Sequence, residues 1–261
     1  MDMILQGGSG FQGLPGMGAH PFSVAVVFMI AGMVKGVVGL GLPTISMALL
    51  ALFMPPADAA ALLIIPSLIT NIWQAGPVRT LKPIVRRIGG MQVGIVAGTL
   101  AGAAVLGAPA GALASAALGV TLIAYAAWGF LGKPLFVPAN AQRWAGPLMG
   151  GLTGIVTAAT GVFVVPAVPY LQALGLQRDD LIQAMGVSFT VSTVALALGL
   201  WANDSYSPAV AGASFLMLIP ALIGMYAGQR LRLRLAPSLF RLCFFISLAL
   251  LGAYQVARHI L

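Results

Sequence analysis

The sequence predicts an all-α polytopic membrane protein made of two inverted-topology repeats, each a broken Gly-rich helix pair followed by three transmembrane helices. Three observations carry this prediction. The 261 residues are 60% hydrophobic and 7% charged, where a soluble domain carries about 25% charged residues; mean hydropathy is +1.01. The apolar residues fall into runs near the length of about 20 that a membrane helix needs. Two of those runs are overlong, interrupted by glycine, proline or threonine, and each heads one half of the chain.

The elements follow in order. Residues 1–20 are Gly-rich, lack the basic start of a signal peptide and read as a flexible, uncleaved tail. Repeat 1 spans 21–131, a linker covers 132–143, and repeat 2 spans 144–261. The run 21–54 is too long for one span and short for two, with GLGLPT at 39–44 near its middle. The run 144–175 has TAATG at 157–161 in the same place. Each reads as two short helices joined by a break. The runs 57–76, 88–106, 109–131, 180–202, 208–229 and 236–258 each read as one span.

Matches in a common order suggest a duplication. VKGVVGLGLP at 34–43 lies over LTGIVTAATG at 152–161, an offset of 118. Asp58, Ser67 and Asn71 lie over Asp179, Ser188 and Ser192 at 121, and Gly98 and Gly102 over Gly224 and Gly228 at 126. Ala108–Pro109 lies over Ala236–Pro237, and Ala124–Tyr125 over Ala253–Tyr254.

Basic residues mark cytoplasmic loops. Arg79, Lys82, Arg86 and Arg87 place the loop 77–87 inside, Lys133 and Arg143 place 132–143 inside, and Arg230, Arg232 and Arg234 place 230–235 inside. The uncharged turn near 106–110 and the loop 203–207, with only Asp204, fall outside. Corresponding loops of the two halves thus take opposite sides, and both termini are expected in the periplasm. Arg258 at an outer end is the one charge against the pattern.

Other polar signals read as structure. Asp58 and Asp179 or Asp180 are placed to cap helix N-termini, and Pro237 suits a first turn. Gly94, Gly98 and Gly102 suit close helix packing, and Trp73, Trp128, Trp144 and Trp201 suit membrane interfaces. The single cysteine, Cys243, cannot form an intrachain disulfide. All five acidic residues are Asp, and no span centre holds Asp or His; His20 and His259 lie at the chain ends. The sequence therefore shows no metal-ligand cluster, no cofactor motif, no nucleotide-binding loop and no carboxylate proton relay. A net charge of +8 reads as membrane topology rather than nucleic-acid binding.

The chemistry is expected at the two breaks. Backbone groups in lipid must satisfy their own hydrogen bonds, so a break belongs inside protein or beside a water-filled cavity. Paired breaks in two inverted halves point to a transporter's substrate site. A helix restarting inside the membrane offers free N–H groups and a partial positive charge. Gly36, Gly39 and Gly41 let an anion approach the backbone, Pro43 fits the first turn, and Thr44, Thr157 and Thr160 add hydroxyls beside Gly161. Lys35 has no acidic residue in its own run, so a mobile anion is its natural counter-ion; the corresponding position is Thr153. Ser67, Asn71 and Gln74 recur on one helical face, and Ser188 and Ser192 align with the first two. This face lines the cavity or bonds between helices.

GMVKGVVGLGLPT at 32–44 and its degenerate copy GGLTGIVTAATGVFVVP at 150–166 resemble the sulfite exporter TauE/SafE family, also called the toluene sulfonate uptake permease family. The likeness runs from about Phe22 to Ala257. It implies a carrier in the bacterial inner membrane for sulfite, thiosulfate, organosulfonates or related small organic acids. The family's Gly-rich breaks map to Gly36, Gly39 and Gly41 and to Gly154 and Gly161. The second copy departs from the pattern, with Thr157 and Ala159 in place of Gly39 and Gly41.

The sequence therefore reads as a secondary transporter, an exporter by this account, that binds a small anion between two broken helices and works by alternating access. Its partners are the anion and membrane lipids, with no nucleic acid; a homodimer is a compatible assembly. An anion channel and a non-transporting membrane scaffold are the alternatives.

Overall fold

A computed structural model of the chain describes residues 21–132, 135–233 and 237–260. The predicted tail at 1–20, and Lys133, Arg234 and Ala236 of the charge and repeat arguments, lie outside the described residues, as does the side chain of His259. The described residues form ten helices and no strand: α1 Pro21–Val38, α2 Leu42–Leu50, α3 Pro56–Ala75, α4 Val78–Leu106, α5 Gly111–Leu131, α6 Gln142–Thr160, α7 Ala167–Ala173, α8 Arg178–Ala202, α9 Pro208–Arg232 and α10 Pro237–Ile260. Seven of them, α1, α3, α4, α5, α8, α9 and α10, are long and apolar enough to cross a membrane.

Each broken run is one helix of near full span followed by a much shorter one, 18 then 9 residues in the first half and 19 then 7 in the second. This corrects the expectation of two short helices, and it puts Lys35 in the last turn of α1 rather than near a helix centre. The second break also moves. Thr157 and Thr160 are still helical, and the irregular segment covers 161–166. Threonine hydroxyls bonded to the carbonyl four residues back let α6 run on to Gly161, whose φ of 71° ends it.

The expected loop 77–87 is helical as well. Ile84, Ile88, Met91 and Ile95 recur along one buried face of α4 while Arg79, Lys82, Arg86 and Arg87 are exposed. Amphipathic spacing thus carries the helix beyond the apolar run. Arg230 and Arg232 likewise lie in the last turn of α9. The aspartates cap nothing: Pro55 and Gln177 hold the N-cap positions of α3 and α8, and Asp58, Asp179 and Asp180 lie in the first turns. Trp73, Trp144 and Trp201 are exposed near helix ends, as expected for interfacial rings.

Glycine seams weld the first helix of each half to the fourth helix of the other. A Cβ on Gly32 or Gly36 of α1 would lie 2.1 or 2.2 Å from the carbonyl oxygen of Ala221 or Met225 on α9; Gly224 and Gly228 press back on Met29 and Met33. On the other side, Gly150 and Gly154 of α6 meet the carbonyls of Met91 and Ile95 on α4, and Gly94 and Gly98 meet those of Pro147 and Gly151. No side chain larger than hydrogen fits at such distances. Each of these glycine contacts in one seam becomes a contact in the other by adding 118 on α1 and subtracting 130 on α9 (32 to 150, 221 to 91). Gly94 and Gly98, rather than Gly98 and Gly102, therefore hold the places of Gly224 and Gly228.

Within each seam the helices run parallel. α3 and α8 instead cross antiparallel, with Asn71 on Thr193 and Gln183 on Ala75. α5 and α10 also cross antiparallel, each of Gly119 and Gly252 placing its Cβ position 2.7 Å from the other's carbonyl oxygen. This crossing pairs Gly119 with Gly252 and displaces the expected match of Tyr125 with Tyr254; Tyr125 is buried and Tyr254 exposed.

Candidate functional site

The first break is built by two left-handed glycines. Gly39 (φ 80°) closes α1 by donating its N–H to the Lys35 carbonyl at 2.7 Å, and Gly41 (φ 110°) is the N-cap of α2. A side chain at either position would strain the backbone. Pro43 follows in the first turn of α2, where its missing N–H has no intrahelical role.

Beside this break lies a cavity of about 760 Å³, at the end of the bundle where α3, α5 and α9 finish and α8 and α10 begin. Lys35, Gly36 and Gly39 line it. Arg178, Arg232 and Arg241 add three more cations, and no Asp or Glu is among the described residues that line it. Apolar and aromatic groups supply much of the remaining wall, among them Tyr125, Trp128, Phe244 and Phe245. The surface is thus cationic and amphipathic, suited to an anion with or without an apolar body.

Lys35 is only 5% exposed. Its Nζ donates to Thr70 Oγ1 at 3.0 Å and to Asn71 Oδ1. An ammonium has three donors, so one remains for the cavity that Lys35 lines. Asn71 is itself held from behind, its Nδ2 3.4 Å from Thr193 Oγ1 on α8. Thr70 Oγ1 donates to the Pro66 carbonyl at 2.7 Å. The lysine is therefore positioned by neutral oxygens alone, which orient its charge without neutralising it.

The other expected site residues are placed differently. Gly41 sits behind the wall, packed near Val34 and Phe244. Thr44 and Ser67 are fully buried, and their hydroxyls have no partner among the described residues. Thr157 Oγ1 bonds the Thr153 carbonyl and Thr160 Oγ1 the Val156 carbonyl, each at 2.7 Å. Gly161 lies against Met47 and Ala60, and the following Val162, Phe163 and Val164 are fully buried. Ser188 accepts from Gln92 Nε2 at 2.9 Å, while the Ser192 hydroxyl is buried without a partner among the described residues. The structure thus gathers Lys35, Gly36 and Gly39, backed by Asn71, at the cavity, and none of residues 157–166 lines it.

Sequence reasoning missed Thr70 and the rim arginines. Thr70 adjoins the polar stripe and was detectable there. The basic residues signalled topology, and nothing in their spacing told which of them would turn toward a common cavity.

A family profile described as "Sulfite exporter TauE/SafE" matches residues 24–255. No curated protein and no solved structure matches the chain.

Proposed function

Because this chain belongs to the sulfite exporter TauE/SafE family of membrane transporters, we propose that it carries small sulfur-containing anions across the bacterial inner membrane. Sulfite, thiosulfate and organosulfonates are the substrate class, with export as the direction. The observation that carries the reading is the cavity floored by Lys35, ringed by three arginines and free of carboxylates among its described lining residues. Its volume lies within the range of about 300–1,000 Å³ of small-molecule sites, and its aromatic wall leaves room for an organic sulfonate.

The anion would bind the free Lys35 donor beside the Gly36–Gly39 backbone. Asn71 and Thr70 hold the ammonium in place, so little ordering remains to be done on binding. By the positive-inside rule the cavity's mouth would face the cytoplasm and both termini the periplasm. Beyond Lys35 the second break is packed with apolar side chains, which supports a carrier with one side closed over a continuous pore. The cavity itself speaks against a scaffold.

Alternating access then requires two bodies to move. The sequence suggests one half rocking against the other. The seams favour a different division, in which α1 moves with α9 and α4 with α6, since their backbones are in direct contact.

Uptake of labelled sulfite or a sulfonate into proteoliposomes under an imposed gradient tests the proposal. Concentrative, saturable transport supports it. No movement of any anion overturns it, and flux that only dissipates a gradient without saturating points to a channel.

A further inference from the structure

The geometry points to a second anion vestibule, closed in this structure, between α4, α6 and α8, which opens on the opposite face and carries no buried cation. This rests on the carrier reading above. Its basis is the register of the two glycine seams, which assigns each cavity residue on α1 and α9 a counterpart on α6 and α4.

Gly36 lies against the backbone of Met225 and Gln229, and Gly154 lies in the same manner against Ile95 and Thr99. Gln229 lines the open cavity; its counterpart Thr99 is fully buried, with a hydroxyl that has no partner among the described residues. Lys35 corresponds to Thr153, also fully buried. Asn71, which holds Lys35, corresponds to Ser192 at the sequence offset of 121 (71 to 192), and the Ser192 hydroxyl too is buried with no partner among the described residues. Buried polar atoms are normally hydrogen-bonded, and each exception calls for an explanation. Two such exceptions at the counterparts of cavity and lysine-holding residues are explained if they face water or an anion in another state.

The charges do not carry over. Arg232 corresponds to Gly102 at 130 (232 to 102), and Arg241 to Ala108 at the 133 that the Gly119–Gly252 crossing sets, in place of the sequence match of Ala108 with Ala236. The stretch equivalent to Arg178 is Pro56–Ala57, followed by Asp58. At that end of the bundle the cation among the described residues is Arg258, whose Nη1 is held by the Leu52 carbonyl at 2.9 Å. The second vestibule is thus a hydroxyl-lined site that receives an anion from a cationic one. Binding is tighter on the basic face and release easier on the other.

The test uses single cysteines in a Cys243→Ser background, since Cys243 is exposed and free. A membrane-impermeant maleimide is applied to the face opposite the arginines during sulfite transport. Ala110→Cys, in the exposed turn before α5, reports that the reagent has access. Thr153→Cys and Ser192→Cys should each label from that face, two positions guarding against one that fails to fold. Apparent KM for sulfite should be about tenfold lower from the basic face than from the other. Cysteines that stay unlabelled in folded protein while the Cys243→Ser parent transports sulfite overturn the vestibule and leave the carrier standing. Labelling without flux in the parent keeps the vestibule and overturns the carrier. Equal KM values from the two faces overturn the charge asymmetry.

Discussion

Ser214 on α9 donates its hydroxyl to the Leu62 carbonyl of α3 at 2.7 Å, and this is the carbonyl that Pro66, four residues on, leaves without an N–H. Ser214 Oγ in turn accepts from the Ile65 N–H at 3.0 Å. One serine from the second half thus repairs both sides of a proline break in the first. Ser214→Ala should cost about 1–3 kcal/mol by stranding buried backbone groups, read as a lower melting temperature in detergent. Pro66→Ala should restore the helical bond, so Ser214→Ala should cost less in that background than in the wild type. Additive losses would show that the serine does not serve the proline.

Lys35→Met should remove anion binding while leaving an inserted, folded protein. Thr70 and Asn71 are neutral and can pair with water or each other. Thermal shifts with sulfite, thiosulfate, sulfoacetate, taurine and simple carboxylates should weaken at least about tenfold in apparent affinity. Wild-type shifts in Lys35→Met would remove the lysine from the site without touching the carrier reading.

Arg178→Gln and Arg232→Gln should slow loading rather than abolish binding. They lie on the cavity wall toward its mouth, where charge raises the encounter rate and salt screens it. The wild type should lose initial rate as ionic strength rises, and the double variant should lose less. An unchanged salt dependence would argue that the rim does not steer substrate.

Gly224→Ala should prevent stable assembly, because its Cβ would lie 1.9 Å from the Met29 carbonyl oxygen. Gly212→Ala, on the same helix, meets nothing within 4 Å and should be neutral or stabilise by about 0.4–1 kcal/mol. Comparing the folded yields of the two variants separates helix packing from helix propensity.

The fold was legible to the extent that apolar length and glycine placement decide it. The single spans matched α3, α5, α8, α9 and α10 closely, because insertion into lipid leaves helices little alternative. The charged start of α4 was misread as a loop because hydropathy falls there while helical periodicity continues. Lys35 and Gly39, both expected at the first break, line one cavity beside it, because a cation and a chain-breaking glycine are costly in a membrane segment and mark where regular helix stops. Ser188 and Ser192 could not be placed from periodicity alone, since the same stripe serves a cavity wall or a helix contact. Thr157 and Thr160 were assigned to a break although threonine can bond its own helix.

The seam between α1 and α9 also bears on how the protein is made. α1 is synthesised well before α9, yet the carbonyls on which Gly32 and Gly36 rest belong to Ala221 and Met225 of α9. Until α9 emerges, the glycine face of α1 has only lipid or a passing insertase to cover it, while Lys35 can already reach Thr70 and Asn71. A nascent chain stopped before α9 should therefore hold its lysine clamp while the glycine face of α1 still photo-crosslinks to lipid, and synthesis of α9 should end that crosslinking.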